Sequence, residues 1–384
     1  MAVYLIGFAL SIGIIAFAEK KRLPIFLTCS VLALLIPCLI AGFRAQNVGT
    51  DVMVYVKPLT ESAICADNLK EYFNSYWYRE WRNLYVQYYE IGFSMLVFVV
   101  AKLTKNLGCV LFAISAVITV PMYIALSRNR KNAPVWLGML TFYLLFYSAS
   151  LNIMRQWAAM SFLLLALQLL REKKYIWTVI LTLFACLFHS SALIAFMIYG
   201  VYWLLQVGQN RTIKLGRLQV RTPIVTMCVV FFGSVAVLLC LNIIVKIMVL
   251  TGFTRFAGYL SGEPLSLMLA QILLRLPPLV IMLLFWKSFS KKEPAAVFFL
   301  TMSLLEIVMS QLMSVAEHAI RIGMYFSAYT VLWPSLLYAS IKQRSHRVFF
   351  CLLLIGYMLV YWYYCFIMHG RNEVYPYSFA GMGM

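Results

Sequence analysis

Residues 23–42 read LPIFLTCSVLALLIPCLIAG, a predominantly apolar run of twenty residues without one charged side chain. A transmembrane α-helix needs about 17–25 such residues to cross the hydrocarbon core of a bilayer. Lys20, Lys21 and Arg22 precede the run, and Arg44 follows shortly after it. The stretch therefore predicts a membrane-spanning helix, and much of the chain has the same character.

The composition supports a membrane protein. Of the 384 residues, 63% are hydrophobic and 12% are charged, whereas soluble domains average about 45–50% apolar and about 25% charged. The net charge of +19 falls mostly in short loops, where it sets topology, so we expect no nucleic-acid partner. The nine cysteines are scattered mainly through apolar segments, which argues against a disulfide framework or a metal site.

Apolar stretches long enough to span predict an all-α polytopic membrane protein with about twelve transmembrane helices in a single integral membrane domain, residues 1–384. The apolar segment from Ile91 to Ala101 is shorter, and we expect a re-entrant or interfacial helix there. The predicted spans lie near residues 2–18, 23–42, 108–127, 134–150, 151–170, 175–188, 190–207, 223–248, 265–287, 294–315, 319–340 and 348–368.

Clusters of lysine and arginine predict the orientation. Six short basic loops alternate with the spans, and the positive-inside rule places them in the cytoplasm. The largest of them is the loop 208–222, and both chain termini then lie outside. Two longer loops, 43–90 and 249–264, also fall on the outer side.

The first outer loop carries a series of aromatic residues. Phe73, Trp77, Trp81, Tyr85 and Tyr88 recur every three or four positions, the spacing of one face of an α-helix. The pattern predicts an amphipathic helix at the level of the lipid headgroups. A platform on which sugars stack is a second interpretation, and the two are compatible.

Charged residues occur where an apolar protein should have none. Three arginines, Arg44, Arg155 and Arg321, are predicted to lie near the outer side of the membrane. They would repel one another unless an anion lay between them, and the planar guanidinium suits phosphate oxygens. No glycine-rich phosphate loop, nucleophile elbow or His-Glu metal helix is present, so a lipid-linked phosphate on the outer side is the predicted ligand.

Further polar residues accompany these arginines. His189 is predicted on a shallow outer turn, where a satisfied hydrogen-bonding group and a catalytic base are both possible roles. Arg275 is predicted in mid-span near Glu306, either as a buried structural pair or as part of a site. The remaining polar positions are Asn152 and Gln156 beside Arg155, Gln271 beside Arg275, and Glu317 and His318 beside Arg321. Glu317 and Arg321 have the spacing of a local helix pair.

Short motifs in a fixed order resemble the EpsG-like branch of the Wzy polysaccharide polymerases. Each motif is weak alone, but together they cover nearly the whole chain. One departure is Ile91, where the family often has proline beside the glycine. The motifs are Phe43-Arg44 with Gly49-Thr50-Asp51 and Tyr55, Tyr89-Glu90-Ile91-Gly92-Phe93, Asn152-x-x-Arg155-Gln156, Phe188-His189-Ser190-Ser191-Ala192, Arg321 with Tyr325, and Pro376-Tyr377.

The resemblance implies a GT-C-like glycosyltransferase in the bacterial cytoplasmic (inner) membrane. Such an enzyme polymerises polyprenyl-diphosphate-linked oligosaccharide repeat units on the outer face, with polyprenyl diphosphate as the leaving group. No cofactor is implied. The lipid bilayer and the lipid-linked oligosaccharide are the expected partners, and a chain-length regulator is left open as a third.

The reaction suggests roles for the candidate residues. Arg155 and Arg321 are the first predicted ligands of the diphosphate, followed by Arg44 and Arg275. Asp51 is the first candidate base for the acceptor hydroxyl, and His189 is the second. The predicted supporting residues are Asn152, Gln156, Glu317, His318 and Tyr325.

Two other functions fit the same features. An O-antigen ligase would use a similar donor with another acceptor. A flippase for lipid-linked oligosaccharides would also have about twelve spans and buried charges, but it usually has two related halves, and no internal repeat is present here.

Overall fold

The computed structural model of the chain describes residues 1–215, 218–252, 258, 264–316 and 319–381. These residues are predominantly helical, with two small antiparallel hairpins, which confirms the predicted helical class. The chain divides into two compact units. The first comprises Met1–Leu193 and Met358–Met384, and the second comprises Ile194–Tyr357. Whether the chain forms one integral membrane domain stays a prediction.

The first unit begins with two long helices, continues through a region of short elements and ends in a run of helices. Its α-helices and strands are α1 (Ala2–Ala18), α2 (Leu23–Gly42), α3 (Lys57–Cys65), α4 (Leu69–Asn74), β1 (Tyr76–Arg79), β2 (Arg82–Tyr85), α5 (Ile91–Thr104), α6 (Leu107–Ser127), α7 (Val135–Leu145), α8 (Tyr147–Ser150), α9 (Met154–Arg171) and α10 (Tyr175–Cys186). Its shorter helical turns are Val52–Val56, Val86–Tyr88, Ser190–Leu193, Tyr363–Met368 and Arg371–Glu373.

The second unit contains helices and one hairpin, and its boundary at Tyr357 falls inside its last helix. Its α-helices and strands are α11 (Ile194–Val207), β3 (Thr212–Leu215), β4 (Leu218–Arg221), α12 (Thr222–Leu239), α13 (Leu241–Leu250), α14 (Leu269–Leu284), α15 (Trp286–Lys292), α16 (Ala296–Met309), α17 (Ile320–Ser327), α18 (Trp333–Ser340) and α19 (Arg344–Trp362). Two 3-10 turns, Ser310–Ser314 and Ala328–Val331, connect helices of this unit.

Six helices among the described residues are long and apolar enough to cross a membrane, or seven if the bent pair of α14 and α15 is one span. The other predicted spans coincide with shorter, broken or more polar helices, so the count of twelve is not confirmed. α5 has 14 residues, fewer than a span needs; its re-entrant or interfacial placement stays a prediction. The six helices that are long and apolar enough to cross a membrane are Leu23–Gly42, Leu107–Ser127, Ser190–Val207, Thr222–Leu239, Ala296–Ser314 and Arg344–Met368.

The first unit is built around neighbouring long helices. α2 packs between α1 and α6, α6 packs against α9, and α9 packs against α10. Aromatic rings fill the space between α1 and the segment that follows α6. The rings of Phe8 and Tyr143 stack with centroids 4.9 Å apart, and Tyr147 meets Phe8 edge-on at 5.2 Å. This core fixes the start of α9, where several predicted site residues lie.

For three of the four prolines inside the described helices, a neighbouring helix compensates the lost hydrogen bond. A proline has no N–H, so the carbonyl four residues earlier loses its helical donor, and this loss is serious where no water is present. In three cases a hydroxyl on another helix of the same unit contacts the freed carbonyl. The contacts are Ser11 Oγ to Ala33 O at 2.9 Å (Pro37), Ser161 Oγ to Val117 O at 3.2 Å (Pro121) and Tyr357 OH to Leu274 O at 2.9 Å (Pro278).

In the second unit, α16 is the central helix and packs against α12, α14 and α17. Its core includes Val308 at the end of α16, Leu238 and Leu241 beside the break between α12 and α13, and Leu312 in the following turn. The packing of α14 on α16 brings together the polar side chains that the sequence placed in mid-span.

The aromatic segment of the first outer loop is not one helix, so that prediction is wrong. It forms α4 and then the hairpin β1–β2, in which Tyr76 pairs with Tyr85 and Trp77 with Leu84. Glu80 and Trp81 form the turn with positive φ angles of 49° and 65°. Aromatic residues favour strands as well as helices, and the two left-handed turn residues reverse the chain where a helix would continue.

The other two predicted loops are described only in part. The segment 208–222 contains the hairpin β3–β4, in which Thr212 pairs with Arg221, and its residues 216–217 lie outside the described part of the chain. In the loop 249–264, residues 253–257 and 259–263 lie outside it as well. The membrane sides assigned to these loops stay predictions.

Gly92, the second residue of α5, offers a test of the packing at this point. A Cβ on Gly92 would lie 2.8 Å from both the Cβ and the carbonyl oxygen of Leu187. We therefore expect Gly92→Ala to lower the free energy of unfolding by about 1–3 kcal/mol, since backbone must move. Thermal unfolding in detergent measures the change.

Gly13→Ala is the matched control in α1, because a Cβ there would meet nothing within 4 Å. It should leave stability unchanged or raise it slightly, since alanine suits a helix better than glycine does. Equal losses in the two variants would contradict the contact between α5 and Leu187.

Candidate active site in the first unit

A turn after α2 places Asp51 beside the start of α9. The backbone N–H of Asp51 donates to Asn152 Oδ1 at 2.9 Å, and its carboxylate accepts a hydrogen bond from the Tyr55 hydroxyl at 2.8 Å. Gly49 makes the turn possible with a φ of +87°, where a Cβ would approach Leu151 O to 2.9 Å. Two residues of the resembling motifs, Asp51 and Asn152, are therefore in direct contact although 101 positions separate them.

Arg155 is the second residue of α9. Its Nη1 donates to Glu90 Oε2 at 2.5 Å, and the guanidinium carbon lies 5.0 Å from the ring centroids of both Tyr55 and Tyr89. Arg155 therefore has an acid partner in Glu90. Its side chain remains 24% exposed, which leaves part of it open to a ligand.

His189 lies between α10 and the turn Ser190–Leu193, as the sequence predicted. Its Nδ1 is 2.9 Å from Glu90 Oε1, and the backbone N–H of Ser190 donates to the same oxygen at 3.2 Å. Glu90 thus connects Arg155 and His189. We call Asp51, Tyr55, Glu90, Arg155 and His189 the carboxylate cluster.

Glu90 is ionised in this arrangement. Burial alone would raise its pKa, but the hydrogen bond with His189 and the positive charge of Arg155 outweigh burial and lower its pKa to about 2. A carboxylate with three donors is expected to behave in this way, because each donor stabilises the charged form. At neutral pH Glu90 is therefore an acceptor only.

Arg44 is buried, with 2% of its surface exposed. Its Nη2 contacts the Met154 sulfur at 3.4 Å, while its Nε and Nη1 make no hydrogen bond within the described residues. The C-terminal segment pairs with its backbone through a bridge to Phe379 and through Ala45 N, which donates to Ser378 O at 2.8 Å. Arg44 precedes Asp51 in the same segment of the chain, but its side chain is buried in this structure.

The remaining candidate residues have separate positions. Gln156 is buried within α9. Arg275 belongs to the second unit, where its Nε lies 3.2 Å from Glu306 Oε1 and its Nη1 donates to Gln271 Oε1 at 2.6 Å; the predicted contact is present. Arg321 begins α17 in the same unit with Tyr325 buried one turn later. Glu317 and His318 lie outside the described residues.

Two residues of the cluster, Glu90 and Tyr55, and the neighbouring Tyr89 were given no role by the sequence. Glu90 and Tyr89 stand directly before an apolar segment, and Tyr55 follows Asp51 by one helical turn. In the sequence, only their membership of the ordered motifs marked these residues as functional. The spacing of residues along the chain did not connect Glu90 to Arg155. Within the described part of the chain, no three His, Cys, Asp or Glu side chains are placed to hold a metal ion.

Acid stability tests the charge of Glu90. A carboxylate with a lowered pKa stabilises the fold above its ordinary pKa, and this stabilisation is lost as the pH falls from about 4.5 to about 2. Wild type should therefore exceed Glu90→Gln in stability at pH 6, on the order of 2–3 kcal/mol, and the difference should shrink below pH 4.5. A difference that does not change with pH would contradict an ionised Glu90.

Replacement of Arg44 tests the burial of its charge. Arg44→Met keeps most of the side-chain volume and removes a buried cation that has no acid partner among the described residues, so it should raise the free energy of unfolding by at least about 1 kcal/mol. Lys102→Met is the control, because Lys102 Nζ donates to the carbonyls of Ile64 and Ala66 and its loss should destabilise. Destabilisation by Arg44→Met would show that the guanidinium has a compensating partner.

Comparison with known proteins gives one match. A model of the EpsG family matches residues 27–379, nearly the whole chain. No curated protein and no solved structure was found to match it.

Proposed function

The chain belongs to the EpsG family, and we propose that it is a membrane glycosyltransferase that polymerises oligosaccharide repeat units linked to polyprenyl diphosphate. The family points to a polysaccharide polymerase, and the long apolar helices indicate a multi-pass membrane protein. The location that we propose is the outer face of a bacterial cytoplasmic membrane, with a GT-C-like architecture.

The position of Arg155 carries this proposal. Glu90 and the rings of Tyr55 and Tyr89 hold the guanidinium in place, so it needs little rearrangement when negative charge develops nearby. One of its five N–H groups serves Glu90, and the fork can offer others to phosphate oxygens. A fixed, partly exposed cation beside candidate bases supports a transfer in which an anion departs.

The proposed reaction is a displacement at the anomeric carbon of the donor chain. The oxygen of an acceptor hydroxyl forms the new glycosidic bond, and the bond from the anomeric carbon to the diphosphate oxygen breaks. Polyprenyl diphosphate leaves with that electron pair, while the acceptor proton passes to a base. Asp51 and His189 are the two side chains of the carboxylate cluster that can accept it.

The other arginines keep their proposed role as diphosphate ligands. Arg44 is buried, so the residues around it would need to move before a ligand reached it. Arg321 and Arg275 lie in the second unit, where Arg275 contacts Glu306, and their role as diphosphate ligands rests on the sequence prediction alone. Asn152 supports the cluster through Asp51, and Gln156 and Tyr325 are buried supports in their own helices.

Arg155→Ala should abolish polymer formation while the protein still inserts into the membrane. Arg128→Ala is the control, because Arg128 makes an ion pair of the same length, 2.5 Å, with Glu172 outside the cluster. That variant should keep polymer formation near wild type. Polymer length on gels and the protein level in membranes are measured for both variants. Long chains from Arg155→Ala would show that Arg155 is not a ligand of the diphosphate.

A charge swap separates the fold from the function. The double variant Glu90→Arg with Arg155→Glu can restore the ion pair, so it should regain part of the stability lost by Arg155→Ala. It should not regain polymerisation, because a carboxylate then occupies the position from which the guanidinium would bind the diphosphate. Recovery of both would show that the pair is only structural.

Purified protein distinguishes the rival functions. A polymerase should lengthen lipid-linked repeat units in detergent without a membrane gradient, which a flippase cannot do. In cells, loss of a polymerase leaves single repeat units attached to the acceptor, whereas loss of a ligase leaves none. Failure to lengthen the repeats in detergent, together with a loss of all attached units in cells, would favour the ligase.

A further inference from the structure

Glu90 has no role in the reaction described above, although it holds two of its members. Its Oε2 accepts from Arg155 at 2.5 Å, and its Oε1 accepts from Ser190 N at 3.2 Å and lies 2.9 Å from His189 Nδ1. Only 15% of its side chain is exposed. A partly buried carboxylate with three defined contacts holds the groups around it in fixed positions.

The contact between Glu90 and His189 determines the tautomer of the imidazole. An ionised carboxylate can accept a hydrogen bond but cannot donate one, so Nδ1 of His189 must carry the hydrogen. In the neutral ring, Nε2 then has the free lone pair. The His189 side chain is 22% exposed, and its second nitrogen is the basic atom of the ring.

The environment of Asp51 is different. The Oδ2 atom of its carboxylate accepts a hydrogen bond from the Tyr55 hydroxyl at 2.8 Å, so a donor already occupies this oxygen. Its backbone is fixed to Asn152. These contacts suit a residue that orders the turn and the Tyr55 ring against Arg155.

We propose that Glu90 is a positioning residue that holds His189 as the Nδ1–H tautomer, so that His189 Nε2 takes the proton of the acceptor hydroxyl. The same carboxylate holds Arg155, which links the base to the cation that receives the leaving diphosphate. This inference rests on the proposed function. It transfers the role of base from Asp51, the first candidate from sequence, to His189.

The proton balance follows from this geometry. As the acceptor oxygen bonds to the anomeric carbon, its proton moves to Nε2 and the ring becomes an imidazolium. Glu90 stabilises that positive charge through Nδ1–H. After the product leaves, Nε2 returns the proton to water, and no other reactant is required.

The tautomer can be observed without any turnover. In protein labelled with ¹⁵N-histidine, the His189 signal is assigned by its loss in His189→Gln. We expect the Nδ1–H pattern in wild type and a shift to the Nε2–H pattern in Glu90→Ala. An Nε2–H pattern in wild type would overturn the positioning role, even if Glu90→Ala failed to fold.

Kinetics test the base. His189→Gln should lower kcat by about 10²–10⁴-fold with little change in KM for the lipid-linked donor. Glu90→Gln should also lower kcat, because an amide has one accepting atom and cannot serve both Arg155 and His189. The double variant Glu90→Gln with His189→Gln should be no slower than His189→Gln alone, since both changes disable the same base.

Asp51→Asn provides the comparison within the cluster and should lower kcat less than His189→Gln does. The opposite ranking, or additive losses for Glu90 and His189, would overturn the assignment. If wild-type protein transferred no sugar, the proposed function and the base role would both fall, while the ¹⁵N spectrum would still decide whether Glu90 sets the tautomer.

Discussion

The structure depends on the satisfaction of polar groups where water is absent. Each of three helix-interior prolines frees a carbonyl, and a hydroxyl from another helix lies against it. In a hydrocarbon environment an unpaired backbone group costs several kcal/mol. These contacts therefore do more than fill space. They fix which helices are neighbours, since Ser11 serves α2 from α1 and Ser161 serves α6 from α9.

The same constraint organises the carboxylate cluster. A lone arginine or a lone acid in a water-poor site would be strongly destabilising, and Glu90 and Arg155 remove that cost for each other. The shared carboxylate then also orders His189. Arg44 is the contrast, since it is buried and has no acid among its described contacts. Natural proteins accept such strain mainly where function needs it.

Sequence patterns were reliable where the signal was local. Apolar runs such as Leu23–Gly42 located the long helices because hydrophobic length is a property of consecutive residues. They were less reliable in the region 73–88, where aromatic residues at helical spacing formed a hairpin. The deciding feature there was the backbone of Glu80 and Trp81, whose positive φ angles no apolar period reveals. The predicted number of spans also depended on helix breaks that composition does not show.

The sequence by itself determined that the chain is a helical membrane protein, that charges at Arg155, Arg275 and Glu306 are exceptional, and that its ordered motifs belong with one family. These properties depend on composition and on short segments. Only the tertiary structure decided that Glu90 lies between Arg155 and His189, and that Asp51 is held by Tyr55 and Asn152. The contacts of Glu90 with Arg155 and His189, and of Asp51 with Asn152, join residues 65 to 101 positions apart, because helix packing sets them and local spacing does not.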